Sequence, residues 1–160
     1  MLSILKTNGI VYLLQPFSTN EIKKVVKTPK LYFLDTGLAA YLTRWLTSET
    51  LATGAMSGHF FETFVISEIL KSYTNAGLPA NLYYLRDSNK QEIDLLIFQN
   101  NTIYPIEIKQ KTNPTLTDIQ NFTILNHIKK IKVADGAVIC LAERILPLDS
   151  KNRIVPIWAI

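Results

Sequence analysis

The stretch that most constrains the fold is residues 92–110, EIDLLIFQNNTIYPIEIKQ. Two apolar runs rich in β-branched residues lie on either side of Asn100 and Asn101. Asparagine tolerates the positive φ that a tight hairpin turn requires, so the pattern predicts a β-hairpin with these two residues at its turn. Counting outwards from that turn places Asp94 directly opposite Glu107 on the neighbouring strand.

The two faces of the predicted hairpin differ. One face is apolar throughout, whereas the other has its charges at the open end, where Glu92 also lies opposite Lys109. Opposed carboxylates repel each other, and buried charge requires a partner or a metal ion. The charged end therefore indicates either a divalent-cation site or a solvated cluster with Glu92 and Lys109 as a surface pair. The apolar face is predicted to contain Ile93, Leu95, Ile97, Tyr104, Ile106 and Ile108, and the other face Leu96, Phe98, Ile103 and Pro105.

Asp94, followed by Glu107-Ile108-Lys109, resembles the D…(D/E)-x-K signature of the PD-(D/E)xK nuclease superfamily. The chain is also similar to the DUF4143 module, which in that family usually follows an ATPase of the AAA type. The resemblance covers nearly the whole chain. It implies a restriction-endonuclease-like α/β fold with a mixed sheet flanked by helices. The four similar segments are PKLYFLDTGLAAYL at 29–42, GHFFETFVISEI at 58–69, QEIDLLI at 91–97 and YPIEIKQ at 104–110.

The resemblance also implies a site. Asp94 and Glu107 would bind Mg²⁺ or Mn²⁺, for which oxygen ligands are suited. Glu62, on a predicted helix, would complete the metal site, although the residues alone favour a solvated helix glutamate there. Lys109 would orient the attacking water or offset charge in the transition state of phosphodiester hydrolysis. The alternative is a catalytically inactive module of the same fold that binds nucleic acid or protein for an ATPase.

Composition limits the remaining classes of function. A net charge of +4 permits a nucleic-acid partner, with DNA favoured by the resemblance, but does not demand one. The single cysteine, Cys140, fits a reducing cytoplasm, where disulfides are rare. No apolar run is long enough to span a membrane, and no signal-peptide pattern is present. No G-x-x-x-x-G-K-[S/T] motif occurs, so this chain is predicted to lack an ATP site of the P-loop type.

Residues 1–33 do not read as a complete domain. The resemblance implies that they end a winged-helix-like segment between an N-terminal ATPase domain and the nuclease-like module. On that basis we expect a partial winged-helix-like or linker segment over 1–45 and the nuclease-like domain over 46–160. The chain would then begin partway through a longer protein. The alternative is a natural short array of strands. In either case, strands are predicted at 10–14, 22–26 and 31–33, with a turn over 15–18.

Helix caps and periodicity predict the other elements. Asp35 is suited to cap a helix that ends at Leu42. A helix starting after Thr115 or Thr117 would connect the second hairpin strand to a later, parallel strand by a right-handed crossover. The further predictions are helices over 47–52 and 60–73, strands over 82–85 and 136–141, and a last strand over 154–160 with Trp158 packed inside.

Overall fold

The computed structural model describes residues 1–19 and 26–160. Its α-helices are α1 (Leu2–Thr7), α2 (Thr36–Leu42), α3 (Ser48–Thr53) and α4 (Ser57–Asn75), and a longer 3-10 helix spans Leu116–His127. Its strands are β1 (Val11–Pro16), β2 (Lys30–Phe33), β3 (Leu82–Arg86), β4 (Glu92–Gln99), β5 (Thr102–Lys109), β6 (Lys132–Val133), β7 (Ala137–Cys140), β8 (Leu146–Pro147) and β9 (Arg153–Pro156).

The described strands form one mixed sheet in the order β2-β1-β3-β4-β5-β7-β9-β8, with β6 paired to β5. Strands β3, β4 and β5 are antiparallel neighbours, whereas β7 is parallel to β5. The 3-10 helix lies between β5 and β7 in the chain, as a parallel crossover requires. The predicted α/β fold with a mixed sheet flanked by helices is confirmed.

The hairpin of β4 and β5 has the predicted register. Gln99 pairs with Thr102, and the recorded pairs continue to Leu95 with Ile106. Asn100 and Asn101 have φ values of 51° and 56°, the left-handed conformation that makes asparagine suitable for this turn. The turn chemistry therefore fixes which residues of the two strands meet.

A β-bulge in β4 changes one predicted face. Tyr83 of β3 pairs with Leu96, but Leu85 pairs with Ile93, so β4 has one more residue than β3 over this interval. The extra residue reverses the alternation of side chains. Ile93 therefore packs in the same cluster as Leu96, and the prediction that it shares a face with Leu95 is wrong.

Helices cover both faces of the hairpin, so both faces are apolar near its turn. On one face α4 packs Val65, Ile66 and Ile69 against Leu95 and Ile106. On the other, the 3-10 helix contributes to a second cluster, which contains Phe17, Leu85, Ile93, Leu96, Ile103, Ile124, Leu125 and Ile128. The central hairpin is therefore held from two sides.

The crossover helix is a 3-10 helix, with three residues per turn. Thr115 is the N-cap of this helix, and the Thr115 N–H donates to the Asp118 carboxylate at 2.7 Å. Apolar residues lie three apart in sequence along it, at 119, 122, 125 and 128, and this interval matches the 3-10 period. In α2, Asp35 accepts a hydrogen bond from the Leu38 N–H at 2.9 Å, which confirms the predicted cap.

Two predictions at the ends of the chain are wrong. Gln15 and Pro16 do not turn but extend β1, in parallel register with β3. The last strand ends at Pro156, and the following 3-10 turn leaves Trp158 68% exposed instead of packed, because strand alternation stops there. The predicted strand over 22–26 lies, apart from Val26, outside the described residues. The division into segments 1–45 and 46–160 stays a prediction.

Among the described helices, none has both the length and the hydrophobicity needed to cross a bilayer.

Candidate functional site

Asp94, Glu107 and Lys109 meet at the open end of the central hairpin, and we call them the Lys109 cluster. The Lys109 ammonium lies 2.6 Å from Glu107 Oε2 and 3.1 Å from Asp94 Oδ2. The recorded ladder pairs end at Leu95 and Ile106, and just beyond them the Ile108 N–H donates to Asp94 Oδ2 at 2.9 Å. The predicted meeting of the two carboxylates and the lysine is therefore present.

Glu107 is the unusual member of this cluster. It is 1% exposed, and its Oε1 is a buried side-chain oxygen that has no hydrogen-bond partner in the described part of the chain. Burial, followed by the nearby Asp94 charge, raises the pKa of Glu107 to about 9, and Lys109 opposes that shift only in part. A buried carboxyl with an unused oxygen is costly for the fold, and such groups concentrate at functional sites.

The pKa of Lys109 is also raised, but for a different reason. Burial lowers the pKa of its ammonium, but Asp94 and Glu107 outweigh burial, and the pKa is raised above its ordinary value. Lys109 is therefore fully charged at neutral pH. It is the one cation that contacts both carboxylates among the described residues.

The donor atoms of the Lys109 cluster fit a hard divalent cation, because both acidic residues offer carboxylate oxygens and Glu107 Oε1 has no partner. Lys109 now supplies the positive charge between them. Over residues 1–19 and 26–160, no group of three or more histidine, cysteine, aspartate or glutamate side chains is arranged to hold a metal ion. The three-carboxylate metal site stays a prediction.

Glu62 lies on α4 and forms no hydrogen bond or ion pair with the described residues of the Lys109 cluster. Its Oε1 accepts hydrogen bonds from Lys30 at 3.1 Å and from the Tyr32 hydroxyl. Glu62 also lines a cavity of about 280 Å³ together with Asp94, Lys109 and other residues. It therefore borders the predicted site while its recorded hydrogen bonds point to β2.

A second group, which we call the Lys30 cluster, consists of Lys30, Tyr32, Glu62, Arg86 and Glu92. Lys30 forms ion pairs with Glu62 and Glu92, and Arg86 Nε lies 3.5 Å from Glu92 Oε2. The Lys30 ammonium also lies 5.2 Å from the centre of the Tyr84 ring. This cluster lines a larger cavity of about 580 Å³, which shares Glu62 and His59 with the smaller cavity.

The Lys30 cluster corrects one prediction. The solvated-cluster alternative paired Glu92 with Lys109, but the Glu92 carboxylate binds Lys30 and Arg86 instead. The prediction assumed that the residue pairing of β4 with β5 continues without interruption as far as Glu92. The bulge in β4 interrupts the regular alternation before that residue.

Sequence reasoning also missed Lys30 and Tyr32. Their spacing of two places them on one side of β2, but nothing local indicates which helix that side faces. Glu68, in contrast, has a side chain that is 38% exposed, and it pairs with Lys71 at 2.8 Å.

The fold and the Lys109 cluster define a mixed α/β domain with a pair of carboxyl groups on its central hairpin, of which Glu107 is buried. The model of the family described as "Domain of unknown function (DUF4143)" matches residues 57–160. This is more than half of the chain, so the chain belongs to that family. The predicted DUF4143 resemblance is thereby confirmed.

Other comparisons reach the N-terminal part as well. The model of a second family, "Domain of unknown function (DUF8612)", matches residues 1–49. Two uncharacterized proteins, one from Mycobacterium bovis and one from Mycobacterium tuberculosis, are each 26% identical over 147 residues, which is 92% of this chain. The alignment covers 32% of each relative, so the chain spans about a third of their length. No solved structure matches the chain.

Proposed function

We propose that this domain hydrolyses phosphodiester bonds of nucleic acid, with DNA favoured, in a reaction that depends on Mg²⁺ or Mn²⁺. The observation that carries the proposal is Glu107: a carboxyl 1% exposed, beside Asp94, with one oxygen left unpartnered. A structure that needed only stability would pair that oxygen or replace it by an apolar group. In a cation site built from oxygen ligands, this oxygen would serve as a ligand.

Asp94 and Glu107 are the residues that would hold the cation, and Glu62 borders the same cavity. Bound there, the cation supplies Lewis-acid activation of the phosphate and of a water molecule. Lys109 keeps its proton and places a positive charge 2.6–3.1 Å from the two carboxylates. That position allows its ammonium to offset charge that develops on the phosphate oxygens in the transition state.

A second candidate is a catalytically inactive module of the same fold that binds nucleic acid or protein. Two contacts favour it. Lys109 already neutralises part of the charge of Asp94 and Glu107, and the recorded hydrogen bonds of Glu62 are to Lys30 and Tyr32, not to residues of the Lys109 cluster. In this candidate, Lys109 acts as a permanent internal cation in place of a metal ion.

Both candidates fit a module that serves an ATPase domain N-terminal to it in a longer cytoplasmic protein. The resemblance to modules that follow AAA-type ATPases motivates this proposal, and the greater length of the mycobacterial relatives leaves room for another domain. The ATP site would then belong to that domain, because the chain has no P-loop motif.

The test uses the present chain and a longer protein that contains it. Mn²⁺ is titrated by calorimetry, and cleavage of single- and double-stranded DNA and RNA is followed by gel electrophoresis. We expect Mn²⁺-dependent cleavage that Glu107→Gln abolishes and that Glu68→Gln, a matched change on an exposed glutamate, leaves intact. Binding of nucleic acid or of a protein partner without such cleavage would favour the inactive module instead.

A further inference from the structure

Glu62 connects the two clusters through its two oxygens. Its Oε1 accepts hydrogen bonds from Lys30 and Tyr32, whereas its Oε2 makes no hydrogen bond with any residue that the structure describes. The same side chain lines the cavity that contains Asp94 and Lys109. Glu62 is therefore anchored through one oxygen while its side chain borders the cavity that Asp94 and Lys109 also line.

The anchor comes from a different part of the chain. Lys30 and Tyr32 lie on β2, at the edge of the sheet, and Tyr32 is buried in the core beneath α4. They belong to the segment matched by the DUF8612 model, whereas Glu62 and the Lys109 cluster belong to the segment matched by the DUF4143 model. The contacts to Glu62 join the two segments at this position.

We propose that Lys30 and Tyr32 are positioning residues that hold Glu62 for the site of the Lys109 cluster. This inference rests on the proposed cation site. A glutamate that binds a ligand loses rotamer freedom, and this loss weakens binding. Because one oxygen of Glu62 is already held, much of that entropy cost is met before the ligand binds. Groups that orient a metal ligand in this way typically contribute about 10–100-fold to metal affinity or activity.

Tyr32→Phe is the informative variant, because it removes only the hydroxyl that donates to Glu62. Tyr12→Phe is its matched control: Tyr12 pairs with Tyr32 across β1 and β2 and packs on the same core, and its hydroxyl makes no hydrogen bond with a described residue. By Mn²⁺ calorimetry on the intact chain, we expect Tyr32→Phe to weaken binding about 10-fold. Tyr12→Phe should leave the affinity unchanged.

A double-mutant cycle separates positioning from a general effect on the fold. If Tyr32 acts through Glu62, its effect on Mn²⁺ affinity disappears in the Glu62→Ala background. Lys30→Met should weaken Mn²⁺ binding, and Lys30→Arg, which keeps the charge, should restore most of it. Where the longer protein cleaves nucleic acid, we expect Tyr32→Phe to lower kcat and leave KM unchanged.

Two results would overturn the inference alone. The first is wild-type Mn²⁺ binding that Tyr32→Phe and Tyr12→Phe leave equally intact. The second is an equal loss from Tyr32→Phe with and without Glu62. If the wild-type protein neither binds Mn²⁺ nor cleaves, the proposed metal-dependent function fails, and the inference fails with it.

Discussion

The Lys30 cluster and the Lys109 cluster each hold two carboxylates, but they balance them differently. In the first, Glu62 and Glu92 face two cations, Lys30 and Arg86, and the Tyr32 hydroxyl adds a further donor. In the second, Asp94 and Glu107 share the single ammonium of Lys109. One oxygen of Glu107 is left without a partner.

This difference separates a cluster that holds other groups in place from one suited to bind a ligand directly. The Lys30 cluster is balanced in charge and lies across β2, β3, β4 and α4, so it stabilises the junction of those elements. The Lys109 cluster has one cation for two carboxyl groups, and burying Glu107 with an unpartnered oxygen costs free energy in the folded state. A binding or catalytic role explains such a cost better than stability does.

The largest expected effect is on the pH dependence of stability without metal. The pKa of Glu107 is raised from 4.5 to about 9. Between these values the folded chain keeps a proton that the unfolded chain has lost, so the free energy of unfolding falls as pH rises. This contribution is complete below about pH 4.5 and lost above about pH 9. The raised pKa of Lys109 acts only above its ordinary value of 10.5, outside this window.

Glu107→Gln removes this titration and should flatten the curve. Urea denaturation at several pH values between about 5 and 9, with a metal chelator present, measures the slope. Glu68→Gln, on the exposed surface of α4, is the control and should keep the wild-type slope. Equal slopes for wild type and Glu107→Gln would mean that Glu107 titrates as an ordinary glutamate.

The next effect concerns Lys109 and catalysis. If its ammonium stabilises the transition state, Lys109→Met should reduce cleavage about 100-fold or more and leave Mn²⁺ affinity within a few-fold. Single-turnover cleavage by the longer protein measures the first quantity, and calorimetry the second. Lys71→Met, at an exposed i,i+3 pair, should change neither. Retained cleavage in Lys109→Met would assign Lys109 a purely electrostatic role in the fold.

The Lys30 cluster predicts a smaller effect, on stability. Lys30→Met leaves the Glu62 and Glu92 carboxylates without their shared cation, and partly buried ion pairs that lose one partner are destabilised by about 2 kcal/mol or more. Lys71→Met, at an exposed pair, should cost less than about 0.5 kcal/mol. Thermal and urea denaturation compare the two variants. A similar cost for both would show that the Lys30 cluster contributes no more than a surface ion pair.

The smallest effect distinguishes two changes at Asp94. Asp94→Ala removes the acceptor of the Ile108 N–H and should cost about 1–3 kcal/mol, as an unpaired buried donor does. Asp94→Asn keeps an acceptor oxygen for the Ile108 N–H, so the free energy of unfolding should stay within about 1 kcal/mol of wild type. Urea denaturation of the metal-free protein compares them. If Asn costs as much as Ala, the Asp94 charge itself is structural.

Local patterns predicted much of the fold. The asparagine turn, the alternation of β5 and of the part of β4 from Leu95 to Gln99, and the Asp35 cap each act over a few residues, and each is present as predicted. The bulge near Asp94 was not predictable in this way. The bulge depends on how β4 pairs with β3 on one side and with β5 on the other. The sequence of one strand alone does not show that β4 has one more residue than β3 over this interval.

The sequence by itself determined that Asp94, Glu107 and Lys109 meet, because a short turn fixes the register of a hairpin and side chains alternate with a period of two. Only the tertiary structure decided what surrounds them. Because α4 packs against β2, Glu62 accepts hydrogen bonds from Lys30 and Tyr32. The layers on both faces of the sheet bury Glu107 and leave one of its oxygens without a partner. Contacts between residues far apart in sequence depend on how the helices and the sheet pack together. The local periodicity of a single element does not determine them.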